Sequence, residues 1–179
     1  MNPVMLKVLF DPLSYVDPGR VSARVAPDGA LRAALNRALI GQYALPDADL
    51  AALTTDEYWV LDAWFGLRRA AYLLGCRRLR AQVLQQIGFL RCDAGVRRFL
   101  TLPLPCAEVQ APGVALSENV LLRYGAELFE PLFSRLAPAL RARAALLFPE
   151  DVSAVLSADS ERPLHRSLLQ LAIHHAQTA

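Results

Sequence analysis

The sequence predicts an all-α fold, a single globular multi-helix domain over residues 1–179 with a short extended N-terminal segment. Three observations predict it. Apolar residues recur every three or four positions in several long segments, as at Leu31, Leu35 and Leu39. Helix-start residues stand ahead of such segments, among them Asp28, Thr55, Asp93, Ser117 and Ser160. Proline and glycine clusters such as Asp17-Pro18-Gly19 and Pro112-Gly113 punctuate the chain between them.

The elements follow in order. Val4 to Phe10 is apolar apart from Lys7 and reads as extended or a short strand, ended by Asp11-Pro12. A first helix is expected after Asp28, running to about Tyr43, and Pro46-Asp47 opens a short helix through Leu53. Thr55 caps the strongest helix, with Asp56 and Glu57 in a first turn whose dipole favours negative charge. At about 100° per residue, Val60, Trp64, Leu67, Ala71 and Leu74 share one sector, and Leu61, Phe65 and Tyr72 widen it. A helix so apolar is expected at the centre of the core. A break near Gly75 is expected, because a continuous helix would mix Arg69, Arg77, Arg80 and Arg91 with Leu73, Leu84 and Ile87 on one face.

The following helix, about Cys76 to Leu90, should bury Leu79, Val83, Ile87 and Leu90 and show Arg78, Gln82 and Gln85 to solvent. Asp93 caps a short helix holding Val96, Phe99 and Leu100. Thr101 to Val114, with Pro103, Pro105, Pro112 and Gly113, reads as a loop. It divides an N-terminal helical group (1–101) from a C-terminal one (116–179) through a proline-rich linker (102–115). Ser117 caps a helix to about Arg135, with Leu121, Tyr124, Leu128 and Leu132 inward and Pro131 kinking or ending it. Pro138 opens a helix reaching Phe148-Pro149, and a turn covers Val152 to Leu156. Ser160 caps the last helix, with Glu161, Arg162 and Pro163 in its first turn and Leu164, Leu168 and Leu171 as its stripe.

The net charge of +2 conceals an asymmetry. Residues 63–107 carry eight Arg against Asp93 alone, while both flanks carry more acid than base. Either the acidic flanks pack around the middle and neutralise it, or the middle offers a basic docking surface. The pairs Arg68-Arg69, Arg77-Arg78 and Arg97-Arg98 are the candidate protein-binding residues. Nucleic-acid binding would require a one-faced patch on a clearly basic domain, and these arginines are scattered in direction.

No motif for catalysis, phosphate binding or dinucleotide binding is present, so no catalytic, cofactor or metal residue is assigned and an enzyme is not expected. Cys76, Cys92 and Cys106 lack ligand spacing and read as free thiols. His174 and His175 are adjacent on a helix and point about 100° apart, so they cannot share a metal. No run of 18 apolar residues escapes a charge, so membrane insertion is not expected. The N-terminus lacks a secretory pattern, which makes the cytoplasm the expected compartment.

The order of features resembles the type III secretion sorting-platform accessory family, the SctK/YscK proteins. The resemblance is carried by Val8-Leu9-Phe10-Asp11-Pro12-Leu13-Ser14-Tyr15, by Leu73-Leu74-Gly75-Cys76-Arg77-Arg78, and by the proline-rich loop before Ser117-Glu118. Asp159-Ser160-Glu161-Arg162-Pro163-Leu164, ahead of the terminal leucine helix, completes it. It implies a non-enzymatic adaptor without cofactor at the cytoplasmic face of the bacterial inner membrane. The implied partners are the cytoplasmic domain of the inner-membrane ring protein and the C-ring-like pod protein. The alternative is a cytoplasmic secretion chaperone or other helical protein-binding module, although a chaperone would be smaller and strongly acidic.

Overall fold

In the computed structural model, residues 3–21, 29–48, 53–156 and 162–178 are described. Among them every regular element is helical. The helices are α1 (Pro3–Phe10), α2 (Gly29–Gln42), α3 (Thr55–Ala63), α4 (Leu67–Arg78), the single turn α5 (Arg80–Gln82) and α6 (Ala94–Leu100). They continue with α7 (Glu118–Phe133), α8 (Pro138–Ala145), α9 (Glu150–Leu156) and α10 (Arg166–Thr178). The core forms where α4 lies along α7, with α10 on another side of α4 and α9 against α7.

The expected extended segment at the N-terminus is instead α1. Val4, Met5, Val8 and Leu9 are the residues it packs inward, and that spacing is one stripe of a helix. The stripe is hard to see in the sequence because Leu6 and Phe10, on the other side, are apolar too and exposed. With no strand alongside among the described residues, a helix satisfies the backbone groups within the segment. Tyr15 then locks it, donating its hydroxyl proton to the Val8 carbonyl at 2.8 Å.

The central helix starts as its charges predict, but the cap is Thr54 rather than Thr55. Thr54 Oγ1 accepts from Glu57 N, and Glu57 Oε2 accepts from Thr54 N at 2.7 Å, so the two residues satisfy each other's backbone donors. The expected single helix is two, α3 and α4, joined by a 3₁₀ turn at Trp64–Gly66. The break expected at Gly75 occurs instead at Leu79, with φ −101° and ψ 29°. Gly75 serves close approach rather than bending: a Cβ there would stand 1.8 Å from the Leu121 carbonyl oxygen of α7.

Beyond the break, Val83–Ile87 form a π-turn with Gly88 N donating to Val83 O at 3.1 Å. Gly88, at φ +82°, then turns the chain out of the helix. Leu90, expected in the core, is therefore on the surface. Arg78 and Gln82, expected in solvent, are half-buried and bonded to the rest of the protein. Of the apolar positions Leu31, Leu35 and Leu39 in α2, Leu39 is buried, Leu35 half-buried and Leu31 exposed.

Asp93 caps α6 through Val96 N at 2.9 Å, and Ser117 caps α7 through Val120 N at 3.3 Å, both as expected. Pro131 is accommodated in the last turn of α7, which ends at Phe133. The segment read as a turn at Val152–Leu156 belongs to α9. The last helix begins at Arg166, after Pro163 and Leu164, rather than at Ser160. Asp28, Ser160 and Glu161 lie outside the described residues. So do residues 49–52 of the short helix expected at Pro46–Leu53, and Pro46 to Ala48 and Leu53 are not helical.

Glu57 couples two helix starts. Its Oε1 accepts from Ala137 N at 2.8 Å, immediately before α8. Burial by itself would raise its pKa, but the N–H groups of Thr54 and Ala137 and the Thr54 hydroxyl outweigh burial and hold it below the usual value. Glu57→Gln faces these donors with an amide that must turn its own NH₂ toward one of them. We expect it to cost about 2 kcal/mol and to lower the melting temperature by roughly 4–8 °C at neutral pH. Because the folded pKa is depressed, the carboxylate stabilises fully above its unfolded pKa of about 4.3, and the benefit fades as pH falls through the lower folded value. The gap between wild type and variant should narrow over that acid range in thermal melts. A pH-independent gap would show that ionisation is immaterial.

Candidate protein-binding surface

The six predicted arginines occupy different settings. Arg68, near the start of α4, pairs with buried Asp17 and with Glu118 at 2.8 Å, tying the N-terminal turn to the start of α7. Arg69 pairs with Asp93 at 2.6 Å and lies 5.2 Å from the Tyr72 ring centre. The Arg69 hydrogen bond is the main reason that the Asp93 pKa is lowered, and Asp93 thereby fastens α6 to α4 while capping it. Arg78 donates to the Tyr124 carbonyl at 2.7 Å and pairs with Glu127 at 2.6 Å. Arg77 donates to the Leu100 carbonyl at 3.3 Å.

Arg97 and Arg98 stand on α6. Arg97 donates to the Leu90 carbonyl at 3.4 Å, and Arg98 is exposed. Among the described residues, Arg77, Arg91, Arg97 and Arg98 have no carboxylate within ion-pair distance. Arg80, by contrast, is 3.6 Å from Glu108. The acidic flanks therefore reach part of the basic middle and leave charge at its far end.

Arg68 and Arg69 rim a cleft of about 400 Å³ between α4 and the start of α7, floored by Tyr72, Ile87, Leu116 and Leu121. The loop on its edge is rigidly attached. Gln82 donates its side-chain amide to Ala111 O and accepts from Ala111 N at 3.3 Å. Gln86 repeats this pairing with Val114 O at 3.2 Å and Leu116 N at 3.0 Å. Val109 N adds a bond to the Arg78 carbonyl at 2.7 Å. Each glutamine thus copies the donor–acceptor pair of a neighbouring strand and secures a proline-containing loop that has no helix of its own.

The sequence reading missed Phe89 and Leu90 as surface residues. The available signal was Gly88, which can take a left-handed conformation and redirect the chain. The cysteines show no bridging among the described residues: Cys76 is buried, and Cys92 and Cys106 are half-buried. Burial pushes the Cys76 thiol up to about 12, so it stays protonated as a core side chain. The described residues contain no cluster of His, Cys, Asp or Glu able to hold a metal, and no helix long and apolar enough to cross a membrane.

Set beside known sequences, this helical chain falls among proteins of the bacterial type III secretion apparatus. Residues 5–178 match the family of bacterial type III secretion apparatus proteins designated OrgA_MxiK. The chain belongs to that family. It is 30% identical over 177 residues to the oxygen-regulated invasion protein OrgA of Salmonella typhimurium, in strains 14028s, SL1344 and LT2. The alignment covers 96% of this chain and 85% of each relative. No solved structure matches the chain. The resemblance carried by the order of features thus holds at the level of the family.

Proposed function

We propose that this protein is a non-enzymatic adaptor of the type III secretion sorting platform, working at the cytoplasmic face of the bacterial inner membrane. In this reading it joins the cytoplasmic domain of the inner-membrane ring protein to the C-ring-like pod protein. The family match over residues 5–178 is the observation that carries the proposal, because it spans both helical groups and the loop between them. The architecture suits such work. A linker between two assemblies needs a stiff body, and here α4 and α7 cross at glycine contacts while two glutamines clamp the connecting loop. It also needs recognition elements on its surface, for which Arg77, Arg97 and Arg98 remain candidates alongside the internally paired Arg68, Arg69 and Arg78.

The test is co-expression with each proposed partner. We expect stable co-purification with the pod protein and weaker binding to the ring protein's cytoplasmic domain. Both should weaken as salt rises, since exposed charges are screened over about 10 Å at 0.1 M ionic strength. Absence of both associations would remove the adaptor reading.

A further inference from the structure

We propose that the projection at Phe89–Leu90, with Arg91 and Arg97 beside it, is the docking site for an acidic amphipathic helix of another apparatus protein. For the identity of that partner the inference rests on the adaptor reading.

The projection is produced by the local backbone. The π-turn at Val83–Ile87 and the left-handed Gly88 end the helix early and swing Phe89–Arg91 outward as one 3₁₀ turn. The π-turn is a rare backbone form that recurs at functional sites. The side chain placed here is Leu90, which is 83% exposed, the most of any large apolar residue described. Phe89, Leu84 and Val114 are exposed as well. Gln86 holds Val114 to the π-turn, so the apolar surface is fixed rather than loose. Ile87 lines both the hollow under Phe89–Leu90 and the cleft floored by Tyr72 and Leu116, which makes the two depressions neighbours.

Charge selects the occupant. Nearby cations are divided: Arg69 and Arg80 are matched by Asp93 and Glu108, whereas Arg91 and Arg97 have no carboxylate partner among the described residues. Arg97 touches the Leu90 carbonyl, so this unmatched charge borders the apolar tip. An apolar tip beside unmatched arginines complements a segment that alternates apolar and acidic faces. Strand addition does not suit the site, because the adjoining loop is already paired to Gln82 and Gln86. A helix satisfies its own backbone and needs only side-chain contacts, which is what the surface offers.

The test uses the full chain, co-expressed in turn with the ring protein's cytoplasmic domain and with the pod protein. Leu90→Glu combined with Arg91→Glu should leave the melting temperature within a degree or two and weaken binding to one partner at least tenfold. Arg123→Glu, an exposed charge on α7, should bind as wild type does. A photo-crosslinking amino acid at position 90, in an otherwise wild-type chain, should give an adduct whose partner peptide is acidic. Wild-type binding by the double variant, an equal loss in Arg123→Glu, or an adduct to a second copy of this chain or to a non-acidic peptide would each overturn the docking site and leave the adaptor reading standing. Failure of the wild-type chain to bind either partner would overturn both.

Discussion

Trp64→Ala is expected to cost about 3–5 kcal/mol, the range for emptying a fully buried large aromatic site. Trp64 is completely buried in the 3₁₀ turn that joins α3 to α4, so its loss opens a void at the junction of two core helices. The damage extends to α1. Tyr15 presents its ring edge-on to Trp64 at 5.4 Å while its hydroxyl holds the Val8 carbonyl, so removing the indole leaves that anchor without its aromatic partner. The melting temperature should fall by roughly 10 °C, given about 2–4 °C per kcal/mol for a chain of this length. Trp64→Phe should lose much less. The indole N–H has no hydrogen-bond partner among the described residues, so phenylalanine forfeits volume and no bond seen there. Equal losses in the two variants, or an unchanged melting temperature in Trp64→Ala, would contradict this packing.

What the sequence made legible was local. The caps at Asp93 and Ser117 are written within three residues of the donors they satisfy, and the composition of the central helix announces its burial. The arginine partners were not legible. Arg68 meets Asp17 from 51 positions away and Arg78 meets Glu127 from 49, and no pattern within a segment encodes such distances. The N-terminal helix was hidden by excess apolarity, since Leu6 and Phe10 blur the stripe formed by Val4, Met5, Val8 and Leu9. Leu90 fits the helical period of Val83 and Ile87, and the π-turn breaks that period before Leu90 is reached. As for the candidate surface, the concentration of arginine was visible, but its division into matched and unmatched charges required the fold.

Gly75 is the most instructive misreading, and its partner across the crossing gives the second large prediction. A glycine inside a helix usually lowers stability by about 0.5–1 kcal/mol relative to alanine, so propensity alone predicts that Gly125→Ala stabilises α7. The crossing reverses the sign. A Cβ at Gly125 would stand 1.7 Å from the Ala71 carbonyl oxygen and 2.9 Å from Gly75 N, both backbone atoms of α4. A side chain could rotate away, but the backbone of α4 can yield only if the two central helices separate. Their separation would loosen the neighbouring contacts of Leu121, Leu122, Leu74 and Ala126, all buried in the same core. We expect Gly125→Ala to destabilise by about 3 kcal/mol or more, at or beyond the upper end of ordinary overpacking. Gly41→Ala supplies the control, since Gly41 is an exposed position in the last turn of α2 where a Cβ meets nothing within 4 Å among the described residues, and the change should add up to about 0.5 kcal/mol. Chemical denaturation of the two variants beside wild type therefore reads opposite signs from the same substitution. A stabilised Gly125→Ala would mean that α4 and α7 do not approach each other through glycine, and the central packing described above would have to be withdrawn.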